Sequence, residues 1–146
     1  MKVRLVMESD YEAFLALAQA GAAESEADLG FTRETFDETF RRFFTDMTCW
    51  VCEADDGALV GFLLAVINGF YFTAGLAVSC EVIYVTPAKR GTRAPALLLD
   101  EFFRWGDMVG ARRKYLGINN GRHPERTARF FERWGARRLG LVLAAD

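Results

Sequence analysis

Residues 82–105 read VIYVTPAKRGTRAPALLLDEFFRW, an apolar strand, a short basic turn and a long amphipathic helix. A strand that runs straight into a helix rejoins its sheet as a parallel neighbour through a right-handed crossover. Tyr115 to Ile118, after the stop at Gly110, is the strand that closes the unit. The helix, from about Arg93 to Val109, places Ala94, Leu98, Phe102 and Trp105 on one face, broadened by Leu99 and Phe103. Arg90, Gly91, Thr92 and Arg93 stand where it begins. A helix start offers unpaired backbone N–H groups and the positive end of the helix dipole. With arginines and a glycine added, that makes an anion site suited to a phosphate or pyrophosphate. The plainer alternative is a helix-capping turn.

The rest of the chain supplies the other strands. Val3 to Met7 opens as a strand, and Glu8-Ser9-Asp10 carries the chemistry of a helix start. That helix runs to about Ala22, followed by a polar connector to Gly30. A second helix from Thr32 places Phe36, Phe40, Phe43 and Phe44 on one face, read as core, with a substrate-pocket lining as the alternative. Cys49 to Ala54 and Leu59 to Ile67 read as strands around an Asp55-Asp56-Gly57 hairpin turn, and Asn68-Gly69 as a further turn. An aromatic cluster, Phe70-Tyr71-Phe72, precedes a strand from Val78 to Val85. After Asn119-Asn120-Gly121 a helix opens at Pro124 or Glu125, and Leu139 to Ala144 reads as a last strand. The order β-α-α-β-β-β-α-β-α-β implies an α/β (α+β) chain, with a mixed, mostly antiparallel central sheet and helices on both faces. With 146 residues and no linker or repeat, one domain spanning 1–146 is expected.

Charge is unevenly spread. Residues 1–85 hold 5 Lys/Arg against 14 Asp/Glu, a balance of −9, whereas residues 86–146 hold 13 against 6, a balance of +7. This places an anionic ligand on the C-terminal half and leaves an acidic side for a cationic partner. The basic half shows no reading helix or single-strand stacking motif, so nucleic acid is not expected. No apolar run has the length of a membrane span, and the opening MKVRLVMESD is not a signal sequence, so neither a membrane nor a compartment other than the cytoplasm is expected. Cys49 and Cys52 match the C-x-x-C spacing, but in a strand their side chains point to opposite faces. No second ligand pair follows, so no metal is expected, and the cysteines read as buried packing residues in a reducing compartment.

Val85-Thr86-Pro87-Ala88-Lys89-Arg90-Gly91-Thr92-Arg93-Ala94, followed by Leu97-Leu98-Leu99, resembles the acetyl-CoA-binding signature of the GNAT superfamily of N-acetyltransferases. The family pattern is V-x-P-x-x-(R/Q)-x-x-G-x-(G/A), then a leucine-rich helix. The element order resembles that of the family's acyl-CoA N-acyltransferase fold along nearly the whole chain, and GRHPERTARFFERWGARRLG resembles its last conserved block. The R-G-T-R-A loop looks like that of a subgroup found in bacteria and their phages. Arg93 and Pro95 stand where the family has small residues. Pro95 has no N–H to give, so phosphate binding would fall to Gly91, Thr92, Arg93, Ala94 and Ala96, with the side chains of Arg90 and Arg93 adding charge-assisted bonds.

The resemblance implies transfer of acetyl from acetyl-CoA to an amine acceptor by direct attack, with no metal. In that reading a backbone N–H within Ile83, Tyr84 and Val85 polarises the thioester carbonyl. The pantetheine arm lies where the strands Val82–Val85 and Tyr115–Ile118 splay. Glu81, the one acid in the apolar run SCEVIYV, is the candidate base, expected to be paired or desolvated; the alternative is an exposed strand end or a structural ion pair. Tyr84 is a second candidate acid or hydrogen-bond donor, on the opposite face from Glu81 unless the strand bulges. Tyr71 and Tyr115 are weaker candidates. Phe131 stands on the cofactor at the position of the family's tyrosine, thought to protonate the leaving thiolate, and has no proton to give. The family's helix-start asparagine maps on to Pro124, with Asn119, Asn120 and His123 as nearby replacements; His123 is otherwise a loop or capping residue. A non-catalytic acyl-CoA-binding or interaction module is the alternative function. The family also implies a homodimer, for which the phenylalanines offer a face.

Overall fold

The computed structural model describes residues 1–25, 29–118 and 120–145. Five strands form one sheet: β1 (Lys2–Leu5), β2 (Cys49–Glu53), β3 (Leu59–Gly69), β4 (Leu76–Val85) and β5 (Arg113–Leu116), hydrogen-bonded in that order. β1 to β4 pair antiparallel, and β5 adds parallel to β4. Helices α1 (Tyr11–Ala23) and α2 (Arg33–Thr45) lie on one face; α3 (Ala94–Met108), with α4 (Pro124–Glu132) packed beside it, lies on the other.

Two clusters of buried side chains hold these layers. Leu98, Leu99, Phe102 and Trp105 of α3 pack on Trp50, Leu63, Val78 and Cys80, with Phe131 of α4 in the same cluster. Phe14, Phe36 and Phe43 pack on Val51, Phe62, Leu64 and Tyr84. The phenylalanine stripe of α2 is therefore core: Phe36 and Phe43 are buried, and Phe40 and Phe44 are half-buried beside them. Cys49 and Cys52 are both buried and unbridged, one in each cluster, as strand alternation requires. Burial pushes the Cys49 and Cys80 thiols up to about 12, which keeps them protonated and inert.

Glycine acts through close approach at Gly106, where a Cβ would sit 2.8 Å from Lys114 Cε and 3.1 Å from Val78 Cγ2. α3 thus lies close against β4 and β5, where a side chain would displace the end of Lys114 and press on Val78. Among the described residues no helix is long and apolar enough to cross a membrane.

Three sequence expectations are corrected. Asn68-Gly69 is not a turn: Asn68 Nδ2 donates to Ser79 Oγ at 2.6 Å, β3 runs on to pair Gly69 with Leu76, and the chain reverses over residues 70–75. The strand after α3 starts earlier, at Arg113, because the Arg112 N–H already bonds to the Leu76 carbonyl at 2.8 Å. Leu139 to Ala144 forms no strand, since no neighbour pairs with it among the described residues.

Asp10 does not cap α1 through its side chain. It turns back to accept both Arg4 Nη1 at 2.7 Å and Nη2 at 3.0 Å, and the Met7 N–H at 2.8 Å, while Arg4 Nε donates to Glu53 at 2.7 Å. Arg4 therefore ties β1 and β2 to the turn that launches α1, and its guanidinium holds the buried Asp10 carboxyl below the usual range. A depressed carboxyl stabilises the fold above its unfolded pKa, about 3.9, and the contribution is lost as pH falls through the folded value. Arg4→Ala is expected to cost about 1–3 kcal/mol at neutral pH. The gap between wild-type and variant urea midpoints should narrow as the pH is lowered below about 4.

Candidate active site

β4 pairs with β5 only from Ala77 opposite Arg113 to Cys80 opposite Leu116. Beyond that, Val82 to Val85 stay paired with β3 and, among the described residues, have no strand on their other edge. The register against β3 slips at the same place. Ala65 faces Cys80 and Leu64 faces Val82, which leaves Glu81 as the extra residue of a β-bulge. The Thr86 N–H bonds to the Val60 carbonyl at 2.9 Å. Ladder alternation then turns the peptide groups of Ile83 and Val85 toward the vacated edge. Arg90 Nε occupies the Val85 carbonyl at 2.8 Å. The N–H groups of Ile83 and Val85 are left facing the cleft where the two parallel strands part.

The bulge changes the parity of the strand. Val78 and Cys80 before it and Ile83 and Val85 after it all face α3, whereas Tyr84 faces α1 and α2. The rule that sets Glu81 and Tyr84 on opposite faces therefore does not apply. Glu81 is exposed and makes no hydrogen bond or ion pair among the described residues. This corrects the expectation of a paired or desolvated acid. At the bulge, with β5 gone from the adjoining edge, nothing covers it.

The turn after β4 passes through a 3-10 segment, Pro87–Lys89, into α3. Thr92 Oγ1 donates to the Lys89 carbonyl at 2.6 Å and accepts the Ala94 N–H at 3.3 Å, and the Thr92 N–H bonds to Lys89 at 3.1 Å. The N–H groups of Thr92 and Ala94 are thereby spent inside the turn. Those of Gly91, Arg93 and Ala96 carry no partner among the described residues. A Cβ at Gly91 would meet nothing within 4 Å, so the turn is open to an approaching group. The Arg93 side chain is exposed at the residue before the first position of the helix, Ala94.

Arg90 is already engaged. Its Nη2 lies 2.6 Å from Glu24 Oε2 at the end of α1, its Nε holds Val85, and its guanidinium sits 5.5 Å from the Tyr84 ring centroid. Tyr84 donates its hydroxyl to Glu24 Oε1 at 3.3 Å, and burial, with the Glu24 charge second, pushes its phenol up. Gly21 lets α1 come this close, for a Cβ there would lie 3.2 Å from the Tyr84 ring. The Arg90 side chain thus braces the end of α1 against β4 in this structure. Glu24 was hidden in what the sequence shows as a polar connector, and no spacing signals a pair 66 residues apart.

The remaining candidates lie around this cleft or away from it. Phe131 is buried against Phe130 in the α3-side core. Asn120 Oδ1 accepts the Arg122 N–H at 3.0 Å and shapes the turn before α4, whereas Asn119 lies outside the described residues. His123 is exposed at the position before α4, with a left-handed φ of 45° and no side-chain capping bond. Tyr71 is exposed on the β3–β4 hairpin, and Tyr115 is half-buried beneath the Arg113 guanidinium. Among the described residues no cluster of three His, Cys, Asp or Glu is placed to hold a metal ion.

A five-stranded mixed sheet that opens between its two parallel strands, with a helix start facing the opening, is the architecture of the acyl-CoA N-acyltransferases. Residues 12–136 match the acetyltransferase (GNAT) family, and the chain belongs to it. No curated protein matches the sequence. Among solved structures, it is similar to the aminoglycoside acetyltransferase AAC(6')-Iy, described in complex with the bisubstrate analog CoA-S-monomethyl-acetylneamine. The identity is 17%, the TM-score 0.81, and the match covers 99% of this chain and 96% of that one. A ribosomal-protein-alanine N-acetyltransferase from Brucella melitensis biovar Abortus 2308 matches at 20% identity and TM-score 0.73, over 100% and 99% of the two chains. Glucosamine-6-phosphate N-acetyltransferase from Arabidopsis thaliana matches at 18% and 0.77, over 99% and 97%.

The bracing cluster divides its energy unevenly. Glu24 and Arg90 are partly exposed, so Glu24→Ala is expected to cost less than about 1 kcal/mol. Tyr84→Ala removes a buried ring that packs with Phe62, and should cost about 3–5 kcal/mol in chemical denaturation.

Proposed function

We propose that this protein transfers the acetyl group of acetyl-CoA to a primary amine of a small molecule or protein. The observation that carries the reading is the parting of β4 from β5 at Cys80 and Leu116, directly before a turn with three unpartnered N–H groups. Acetyl-CoA fits this arrangement. Its pantetheine arm has amides that can bond to the vacated edge of β4, and its pyrophosphate meets the N–H groups of Gly91, Arg93 and Ala96, reinforced by the exposed Arg93 guanidinium. The CoA complex of the structurally similar aminoglycoside acetyltransferase supports this choice.

In this reading the Ile83 N–H, aimed into the cleft, polarises the thioester carbonyl, with the Val85 N–H beside it. A neutral amine attacks the carbonyl carbon, the C–S bond breaks, and the products are an amide and CoA thiol. The amine loses a proton to Glu81, directly or through water, because the bulge sets this exposed carboxylate where the vacated edge begins. The thiolate takes its proton from solvent or from Tyr84, whose raised phenol stays protonated through the neutral range. Phe131 packs and donates nothing. A non-catalytic acyl-CoA-binding module is the second reading, favoured by the phenol-free position of Phe131.

Calorimetry with acetyl-CoA should give binding at tens of micromolar or tighter. Arg93→Ala should weaken it about tenfold, near 1.4 kcal/mol, at low salt. A thiol-release assay over a panel of amines should show turnover, and Glu81→Gln should lower the rate without weakening acetyl-CoA binding. Binding without release on any amine would favour the second reading. An unchanged rate in Glu81→Gln would remove Glu81 from the mechanism.

A further inference from the structure

Arg126, Arg129 and Arg133 form a stripe along the outside of α4. At 3.6 residues per turn they fall within about 60° of one another, on the side opposite the buried Phe131. Arg133, the residue after the helix, keeps helical backbone angles of −64° and −22°, so the row is continuous. Arg122 and Arg137 extend it in sequence at either end. All five side chains are exposed, and none makes a hydrogen bond, ion pair or ring contact among the described residues.

The acids that would neutralise this row are engaged elsewhere. Glu125 stands one turn before Arg129 and Glu132 three residues after it, the spacings at which helical ion pairs form. Arg138 takes both, at 3.0 Å and 2.9 Å. The acids of α3, packed beside α4, are also held: Asp100 accepts Trp134 Nε1 at 2.8 Å, Glu101 pairs with Arg104, and Asp107 accepts Lys114 Nζ at 2.5 Å. A chain of net charge −2 thus gathers unpaired positive charge on one helix face. Like charges at these spacings destabilise a helix, and a bound polyanion removes that cost.

We propose that this face of α4 binds the phosphate backbone of duplex DNA, independent of base sequence, through Arg126, Arg129 and Arg133. The stripe has charge and no apolar anchor, for no large apolar side chain from 122 to 138 is exposed. A protein partner draws its affinity from a desolvated aromatic or aliphatic anchor, and a single strand from bases stacked on exposed rings. A duplex backbone asks for neither, only for guanidinium groups set along a line. The basic half carries no base-reading motif, and backbone contact needs none. The contact uses none of the N–H groups or side chains assigned to acetyl-CoA, so it stands or falls apart from the acetyltransferase reading.

Fluorescence anisotropy of the full chain with a labelled duplex of about 30 base pairs should show micromolar binding at about 50 mM salt. The logarithm of the affinity should fall with the logarithm of salt at a slope near −3, about −0.9 for each phosphate neutralised. Arg129→Gln/Arg133→Gln should weaken binding about tenfold or more and flatten the slope by about two, with an unchanged circular dichroism spectrum and acetyl-CoA affinity. Should that variant lose its native spectrum, Arg126→Gln/Arg133→Gln carries the same test. Arg41→Gln/Arg42→Gln, which removes equal charge from α2 on the other face of the sheet, should leave binding and slope unaltered. No binding by the wild type at tens of micromolar would overturn the proposal. So would a folded stripe variant with the wild-type slope, or binding to polyglutamate as tight as to the duplex, which would assign the face to an acidic protein.

Discussion

The parallel pairing of β4 with β5 lasts only four residues, and most of what the molecule can do depends on where it stops. Two packing facts set that point. α3 is pressed close on to both strands at Gly106, where a Cβ would displace the end of Lys114 and press on Val78, and its buried face of Leu98, Leu99, Phe102 and Trp105 fixes the crossover. The bulge at Glu81 then turns β4 at the last shared residue. Extra twist at a bulge carries one strand away from its neighbour. The peptide groups that lose a partner there lie at an open cleft. Inside a core they would cost the desolvation of each unmade hydrogen bond; at a cleft, water or a ligand satisfies them. A binding edge is thus produced by ending a strand pair early, without any special side chain.

Charge is arranged around that edge by pairing as much as by excess. In the basic half, Arg104, Lys114 and Arg138 are each held by a nearby carboxylate, and Arg90 is held by Glu24 from the acidic half. What remains near the helix start is Lys89 and Arg93, whose charges both reach Asp55 and hold its carboxyl below the usual range, after the larger effect of the N-terminal ammonium. The uneven sequence charge therefore overstates the field at the turn. Bracing Arg90 with Glu24 and Tyr84 also ties the end of α1 to the turn before α3.

The crossover, the helix faces and the mixed sheet were legible because periodicity reports burial directly: the α3 face named from spacing is the face that is buried. The turn was legible from its arginines and glycine beside a helix start. What it would do with each N–H was not, because the bonds that spend Thr92 and Ala94 arise from how Thr92 folds back on Lys89. The Glu24–Arg90 pair joins residues far apart in sequence, and nothing local encodes it. The bulge at Glu81 is a one-residue slip against β3, and a run of alternating apolar residues looks the same with or without it. The last strand shows the limit most plainly. Residues 139–144 have the composition of a strand, but a strand also needs a partner edge, and composition does not say whose.

Phe131 ties these points to the chemistry. Its ring is 4% exposed in the cluster that holds α3 to the sheet, and Trp134 Nε1, one turn on, bonds to Asp100 Oδ1 of α3 at 2.8 Å. α4 is thereby docked by a buried ring and one polar latch. A hydroxyl added to a ring at that depth would need its own acceptor, at a cost of about 1–3 kcal/mol where none is present. With phenylalanine, α4 is free of that requirement and serves as a packing element with no proton to give. On the opposite side of the sheet stands Tyr84, kept protonated by burial and fixed by Glu24. The loss of a phenol on one wall and the bracing of a phenol on the other are two consequences of the same sheet, packed on both faces and open along one edge.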